Sequence, residues 1–369
     1  MPTKRAQQTQ QHMELDIHIM ADALIRIPVM TRSQLARYVG ITPMRVKRLL
    51  EYYPAEFNQH TYDGRLHQAT RYGQRMNGTQ YLVRLSPYGY TRLSQVLDRP
   101  RPIRPHSTGR VLATGEVLLA FKRVDLIGTT WDIRVPREHH VSVHAWMQYH
   151  EDDHPSIGVY ILPHRGAVWT GKKSVLRGTV DRTIQNVQVG HLLFLCPAVH
   201  YEHALRQLVQ MEYGAGNLHL LPWESFLKSP AFFLDAIRDP RNAVEQYLAA
   251  HPPKRRLPVP ASHNWFGAFI EDQAGVYKLI DCWNGGDVRR VQAWVEDFGE
   301  RVYLLPDDPG KAAGGWVYAA DETMRDALSQ LFERRARSYA VNPLMSRLHD
   351  QVLLCVQIRP SRIVSYVVN

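Results

Sequence analysis

Apolar residues recur at helical spacing near the start of the chain. In residues 15–27 (LDIHIMADALIRI), Ile19, Ala23 and Ile27 share one helical face. A period near 3.6 residues predicts an amphipathic helix. The polar sequence before it has no such period, so we expect residues 1–14 to form a disordered tail.

Two further helices, separated by a short turn, are predicted over residues 31–53. Thr31 and Gln34 have the three-residue spacing of a capping box, and Gly40 suits the left-handed position that ends a helix. Thr42 then caps a third helix that has a proline in its first turn. This pattern is typical of a helix-turn-helix.

The third helix (PMRVKRLLEYY) separates apolar from cationic positions. Its apolar residues can face a core while Arg45, Lys47 and Arg48 project elsewhere. In DNA-binding helix-turn-helix motifs, the start of this helix reaches base edges and phosphates in the major groove. A helical hairpin with solvated basic residues is the alternative, and the agreement of turn, caps and charge favours the helix-turn-helix.

A wing is predicted after the third helix. Strand patterns over residues 57–62 and 80–85 are joined by a segment rich in Gly, Asn and Arg. The basic residues of this segment suit phosphate or minor-groove contacts, and a disordered loop is the alternative. The candidate DNA-contacting residues are therefore Arg32, Ser33, Thr42, Met44, Arg45, Lys47, Arg48, Arg65, Arg71 and Arg75.

The distribution of charge supports a polyanionic partner. The whole chain carries a net charge of +10, and residues 1–110 hold 17 Lys and Arg against 7 Asp and Glu, which is also +10. The remaining 28 basic and 28 acidic residues cancel. A field confined to one end of a chain attracts nucleic acid and releases its counterions.

The rest of the chain has α/β character. The predicted strands cover residues 158–162, 166–169, 191–196, 218–221, 276–280, 301–305 and 352–358, and the predicted helices cover residues 114–126, 201–211 and 322–336. Strand, helix and strand over residues 191–221 predict a right-handed crossover with parallel pairing. A loosely similar order in the last third favours a degenerate duplication.

Two proline-rich segments suggest domain boundaries. The predicted organisation is a tail (1–14), a winged helix-turn-helix domain (15–98), a linker (99–110), an α/β domain (111–251), a second linker (252–261) and a C-terminal α/β domain (262–369). The predicted class is therefore an α/β multidomain protein with mixed sheets.

The three cysteines and the absence of a signal sequence predict a cytoplasmic protein. Cys196, Cys282 and Cys355 lie far apart in apolar runs, which favours buried free thiols over disulfides. The N-terminus lacks the apolar stretch of a secretory signal, and no apolar run has the length of a membrane span.

No complete catalytic constellation is visible, so we expect a protein without enzymatic activity, metal or cofactor. A metal-dependent nuclease needs converging carboxylates, and only the scattered Glu116, Asp132 and Asp181 are candidates. Residues 139–154 are rich in His and Asp, where a polar loop is favoured over a site for a divalent ion. The sequence contains no GxxxxGK[ST] phosphate loop.

Over about residues 15–250 the chain resembles the bacterial replication-relaxation family. The resemblance lies in the segments TRSQLA at residues 31–36, the basic third helix ending in Leu49 and Leu50, RLSPYG at residues 84–89, and the helix at residues 116–123. Family membership implies a winged helix followed by an α/β domain, in a protein of a plasmid or an integrated mobile element.

The sequence thus predicts a double-stranded DNA-binding protein that acts in replication or transfer initiation. Because such motifs often read repeated half-sites, we expect a homodimer. The α/β domains would mediate self-association or recruit a protein partner. A transcriptional regulator of its own element and a nuclease with an unrecognised site are the two alternatives.

Overall fold

The computed structural model of the chain describes residues 4–63, 79–97, 108–123, 131–135, 143–149, 156–164, 169, 175–186, 190–211, 217–259, 267–300, 304–305, 308–312 and 314–339. The chain divides into two compact units, residues 1–192 and residues 193–369. The predicted class, a mixed α/β protein with mixed sheets, is confirmed. The division falls within a strand and at neither of the predicted linkers.

The first unit begins with a long helix, α1 (Lys4–Arg26). The prediction of a disordered tail over residues 1–14 is therefore wrong from Lys4 onward. Gln, Met and Glu in this segment have good intrinsic helix propensity. Because residues 10–12 are exposed, they need no apolar period, and the hydrophobic pattern could not reveal this part of the helix.

Helix α2 (Arg32–Val39) begins with the predicted capping box. The backbone N–H of Gln34 donates to Oγ1 of Thr31 at 3.0 Å, and the N–H of Thr31 donates to Oε1 of Gln34 at 3.0 Å. Gly40 ends the helix with φ 81°, as predicted, and its N–H donates to the carbonyl of Ala36 at 2.9 Å.

Helix α3 (Pro43–Tyr52) follows after the turn formed by residues 40–42. The predicted cap is confirmed, because Oγ1 of Thr42 accepts the backbone N–H of Arg45 at 3.2 Å. The side chains of Val46, Leu49 and Leu50 are at most 2% exposed. Because this apolar stripe is buried, the opposite face of α3 lies at the surface.

A three-stranded antiparallel sheet completes this part of the unit. It contains β1 (Met30–Thr31), β2 (Phe57–Asp63) and the central strand β3 (Thr79–Leu85). The two predicted strands are confirmed, with Phe57 opposite Leu85. Strand β1 is too short for its alternation to be recognised in the sequence.

Helix α4 (Pro87–Leu97) follows β3, and Ser86 caps its start. Its Oγ accepts the backbone N–H of Gly89 at 2.9 Å and donates to the carbonyl of Ala55. A Cβ at position 89 would collide with the backbone of Glu56, so this close approach requires glycine.

Helix α5 (Thr108–Arg123) begins six residues before the predicted start, inside the predicted linker 99–110. It packs directly against α2 and β1. The side-chain amide of Gln34 donates to the carbonyl of Leu112 at 2.8 Å and to the carboxylate of Glu116 at 2.9 Å. Residues 108–123 are thus part of the same packed structure as α2.

An antiparallel meander follows in the first unit: β4 (Trp131–Arg134), β5 (Ala145–Tyr149) and β6 (Ile157–Ile161), with helix α6 (Val175–Asn186) after it. Strand β6 confirms the prediction at residues 158–162. Its antiparallel partner is β5, which lies within the stretch interpreted as a polar loop. Residues 165–168, most of the predicted partner, lie outside the described residues.

Strands and helices alternate at the start of the second unit. The unit division falls within β7 (His191–Cys196), and α7 (Tyr201–Val209) and β8 (Asn217–Pro222) follow. These three elements match the predictions, and β7 lies beside β8 in the sheet. Three helices then follow: α8 (Trp223–Lys228), α9 (Pro230–Arg238) and α10 (Pro240–Ala250).

A mixed sheet forms the remainder of the second unit. Its strands are β9 (Arg255–Leu257), β10 (Ala268–Glu271), β11 (Tyr277–Trp283) and β14 (Gly314–Ala319). Strands β12 (Leu304–Leu305) and β13 (Asp308–Ala312) form a separate short pair. Strands β9, β10 and β11 pair antiparallel, and β14 pairs parallel to β11. The helices are α11 (Val288–Glu300) and α12 (Glu322–Tyr339), and α12 confirms the longest predicted helix.

Strand β9 corrects the prediction that residues 252–261 are only a linker. Arg255 and Lys254 make ion pairs with Glu271 of the neighbouring strand, which an isolated charged segment does not reveal. The predicted strand at residues 352–358 lies outside the described residues. The element order helix, three antiparallel strands, helix, strand occurs over residues 108–196 and again over residues 240–305. The duplication itself stays a prediction.

Candidate nucleic-acid interface

The polar face of α3 carries the cations that the sequence singled out. Arg45, Lys47 and Arg48 are exposed, whereas the apolar stripe of the same helix is buried. Met44 is also exposed, with 59% of its surface accessible. The first turn of α3 contains no acidic residue. The helix therefore presents a cationic start on the outer surface of the first unit.

Two of these cations have acidic neighbours that the sequence analysis missed. Arg45 pairs with Asp16 of α1 at 2.6 Å, and Lys47 pairs with Glu51 one helical turn later at 3.6 Å. The four-residue spacing of Lys47 and Glu51 was visible in the sequence, but the Arg45 pair depends on the packing of α1. Both side chains of the Lys47 pair are exposed, so this pair is weak, whereas the Asp16 side chain of the Arg45 pair is only 13% exposed.

Arg48 differs from its two neighbours. The structure gives this exposed guanidinium no ion pair with any of the described residues. A cation without an acidic partner keeps its full charge available for an incoming anion.

Arg32, at the start of α2, is held against the β2–β3 hairpin. Its guanidinium lies 3.7 Å from the centroid of the Tyr81 ring, and its Nε donates to Oε1 of Gln59 at 3.1 Å. Tyr81 and Gln59 were not recognised in the sequence, although both occupy positions on strands whose outward alternation could have indicated them. This cation–π contact fixes Arg32 beside an exposed aromatic ring.

The remaining candidates divide into two groups. Ser33 and Thr42 are exposed near the starts of α2 and α3, and the hydroxyl of Thr42 is engaged in capping. Arg65, Arg71 and Arg75, together with the predicted wing tip, lie outside the described residues.

The carboxylates considered for a nuclease do not converge. Glu116 accepts hydrogen bonds from Gln34 and from Arg37 of α2, at 2.9 and 2.7 Å. Asp132 pairs with Arg26, whereas Asp181 is exposed on α6. Within the described ranges no cluster of His, Cys, Asp and Glu has the arrangement of a metal site.

Asp132 is one of two carboxylates that pair with the buried guanidinium of Arg26. Burial opposes the charge of this guanidinium, yet Asp22 and Asp132 outweigh the cost of burial, and the pKa of Arg26 is raised. Only 4% of the side chain is exposed, so its two carboxylate partners are needed to compensate a buried charge. Asp132 therefore has a structural role in this arrangement.

His144 is a core residue. Its Nδ1 accepts the backbone N–H of Ile161 at 3.0 Å, and burial lowers the pKa of the imidazole well below its ordinary value. The side chain is thus neutral and oriented by the neighbouring strand. Residues 139–142 and 150–154, the remainder of the His- and Asp-rich stretch, lie outside the described residues.

Two of the three cysteines are described, and both are buried free thiols as predicted. Burial raises the pKa of Cys196 and of Cys282 well above the ordinary range, so neither thiol is reactive at neutral pH. Cys355 lies outside the described residues.

The fold and this surface together define a mixed α/β protein of two units that exposes a cationic helix in the first. No family model, curated protein or solved structure matches the chain. Within the described part of the chain, every helix is too short or too polar to span a lipid bilayer.

Proposed function

We propose that the chain binds double-stranded DNA through a winged helix formed by α1 to α4 and β1 to β3. The order of these elements, with two capped helices joined by a short turn and followed by a hairpin, supports this proposal. In such a module α3 is the recognition helix and lies in the major groove.

The exposed cationic start of α3 is the single observation that carries the proposal. A polar face with Met44, Arg45, Lys47 and Arg48 combines an apolar contact for a thymine methyl with cations for guanine and phosphate. The net charge of +10 over residues 1–110 adds a long-range attraction to the same polyanion.

Arg32, Ser33 and Thr42 are proposed to contact the backbone beside the groove. They lie at or before the starts of α2 and α3, where backbone N–H groups and the helix dipole favour phosphate. Arg65, Arg71 and Arg75 are proposed as wing contacts, on the basis of their charge and their place between β2 and β3.

We further propose that this cytoplasmic DNA binding serves replication or transfer initiation of a plasmid or mobile element, as the family resemblance implies. A homodimer would place two copies of α3 on repeated half-sites, with the α/β elements available for self-association or for a protein partner. Transcriptional regulation of the same element is the second candidate, because it needs the same exposed helix. No enzymatic step is proposed.

The direct test is DNA affinity over a salt series with the full-length chain. Arg48→Ala should weaken binding and lower the slope of log K against log salt by about one, the value for one lost phosphate contact. Arg45→Ala combined with Arg48→Ala should lower the slope further. The control is Arg241→Ala, which removes the same charge from an exposed position on α10 and should leave the slope unchanged.

Equal slopes for wild type, Arg48→Ala and the control would contradict docking through α3. A footprint on the host element would separate the biological roles, because protection at an origin or transfer site favours replication and protection at the promoter favours regulation. Magnesium-dependent nicking of the protected DNA would support the nuclease alternative instead.

A further inference from the structure

A polar cavity of about 190 Å³ lies within the second unit, and none of the residues proposed to contact DNA lines it. Its walls come from α9, from the start of α10 and from Asn284, which directly follows β11. Ligands of open α/β sheets bind in the crevice beyond the carboxyl ends of the strands, and Asn284 occupies that position on β11.

Asn284 has no exposed surface and is not hydrogen-bonded through its side chain. Neither Nδ2 nor Oδ1 has a hydrogen-bond partner within the described part of the chain. Burying this amide without partners costs folding free energy for the unsatisfied donor and again for the unsatisfied acceptor. A polar group that the protein leaves unsatisfied at the wall of a cavity indicates a ligand that completes it.

The backbone around Asn284 is held firmly, so its orientation is built into the fold. His219 Nδ1 donates to the carbonyl of Gly285 at 2.8 Å, and Leu220 N–H donates to the carbonyl of Gly286 at 2.9 Å. Gly286 has φ 67°, a conformation that favours glycine, and a Cβ at Gly285 would lie 2.9 Å from the carbonyl oxygen of Ala236. These contacts therefore restrict the conformation of the loop that carries the amide.

The other walls restrict the chemistry of the ligand. Phe232 supplies an apolar surface, while the carboxylates of Asp235 and Asp239 outnumber the one guanidinium, Arg238. This net negative lining disfavours a phosphate group and favours hydroxyl or amino donors. Asp239 accepts the backbone N–H of Asn242, and Asp235 pairs with Arg238 at 3.8 Å, each through one carboxylate oxygen, so the second oxygen of Asp235 is the acceptor considered for the ligand.

We propose that this cavity binds an unphosphorylated adenine compound, a nucleobase or nucleoside, with its donor–acceptor edge on the amide of Asn284. An asparagine amide pairs with the N6 amino group and N7 of adenine through two hydrogen bonds, which satisfies both of its orphaned atoms. A guanidinium or ammonium ligand would leave Nδ2 without a partner. The ribose hydroxyls would donate to Asp235.

Calorimetric titration of the full-length chain with adenosine tests the proposal. Adenosine should bind, and purine riboside, which lacks the amino donor, should bind at least about tenfold more weakly, because one hydrogen bond of the pair is lost. AMP should also bind more weakly than adenosine, because its phosphate meets the acidic lining.

Variants of residues that line the cavity test whether adenosine binds there. Asn284→Leu should abolish adenosine binding while the chain stays folded, since leucine has similar volume and leaves no polar atom unsatisfied. Asp235→Asn, at a half-buried wall position, should weaken binding about tenfold. Asn217→Leu, an exposed position at the start of β8, is the matched control and should bind as wild type does.

Absence of adenosine binding by the folded wild-type chain would overturn the proposal, as would equal binding of adenosine, purine riboside and AMP. Adenosine binding that survives Asn284→Leu would also overturn it, by placing the ligand elsewhere. The DNA titrations above use a different unit and different variants, so the two proposals can fail independently.

Discussion

The side-chain amide of Gln34 is hydrogen-bonded through both its oxygen and its nitrogen, and these bonds connect α2 with β1 and α5. Its Oε1 accepts the N–H of Thr31, and its Nε2 donates to the carbonyl of Leu112 and to Glu116. The residue is 2% exposed. Because both ends of this buried amide have partners, Gln34 holds α2 against α5 as well as capping α2.

We therefore expect Gln34→Ala to destabilise the chain by roughly 2–4 kcal/mol, because it removes half of the capping box, the Oε1 acceptor of the Thr31 N–H and both hydrogen bonds from the amide to α5. Urea unfolding followed by circular dichroism measures the change. Gln185→Ala, an exposed position on α6, should change stability by less than about 0.5 kcal/mol. Equal effects of the two variants would contradict this role of Gln34.

Asp281 is a buried carboxyl whose charge depends on pH near neutrality. It has no exposed surface, and burial raises the pKa of its carboxyl to about 7, although the Arg290 guanidinium at 2.8 Å acts in the opposite direction. The native state then binds the proton more tightly than the unfolded chain, whose carboxyl titrates near 4. Stability contributed by this group is present at low pH and falls as pH rises.

The test compares wild type with Asp281→Asn, whose amide does not titrate. The free energy of unfolding of wild type should fall relative to that of the variant between about pH 4 and pH 7, by up to roughly 4 kcal/mol, and the difference should then stay constant. Unfolding curves at half-unit pH intervals give this profile. A difference that is independent of pH would show that the carboxyl titrates normally in the folded protein.

At the scale of elements, two glycines with open space around them provide a matched pair. A Cβ would meet nothing within 4 Å at Gly40 or at Gly178. Gly40 has φ 81° and ends α2, whereas Gly178 lies within helix α6. Substitution by alanine therefore adds the same methyl group to a left-handed backbone at position 40 and to a helical backbone at position 178.

Gly40→Ala should destabilise the chain by about 1 kcal/mol because alanine resists the left-handed conformation. Gly178→Ala should stabilise it by about 0.5–1 kcal/mol because alanine is the better helix former. Thermal unfolding of both variants measures the two shifts. Shifts of the same sign would contradict the assigned backbone conformations.

Elements with their own local signals were predicted well from the sequence. The caps of α2 and α3 lie within a few residues of the helices that they start, and β7 is a continuous apolar run. Elements that depend on a partner were missed: the exposed start of α1, the short strand β1, and β9, whose charged residues pair with Glu271. Local periodicity carries no information about a neighbour that is distant in sequence.

At the scale of the first unit, the candidate DNA-binding elements are not separate from the residues after the predicted linker. Helix α2 packs against α5, and Arg26 of α1 pairs with Asp132 of β4. An ordered interface across the proline-rich segment means that residues 15–98 do not contain all of their own packing partners.

We therefore expect a fragment of residues 1–98 to unfold at a lower temperature than the full chain, and the amides of α2 to lose protection from hydrogen exchange. In the full chain, Glu116→Gln should have an effect below about 1 kcal/mol, because the amide keeps an acceptor for Gln34 and only an exposed ion pair is lost. Equal protection of α2 in fragment and full chain would contradict the dependence on α5.

The exposed cationic face of α3 was predicted from the sequence more completely than the contacts around it were. The period of α3 determined that Val46, Leu49 and Leu50 turn inward and that the three cations of this helix turn outward. The ion pair of Arg45 with Asp16 and the stacking of Arg32 on Tyr81 could not be predicted, because the partners are far apart in the chain.

By itself the sequence determined the alternating strands, the capped helices, the concentration of positive charge in residues 1–110 and the mixed α/β class, since these follow from composition and from local backbone preferences. The tertiary structure alone decided which charges are paired, where the two units divide, and that an asparagine amide is left unsatisfied at the wall of a cavity. These features depend on the distances between residues remote in the chain, which only the folded backbone sets.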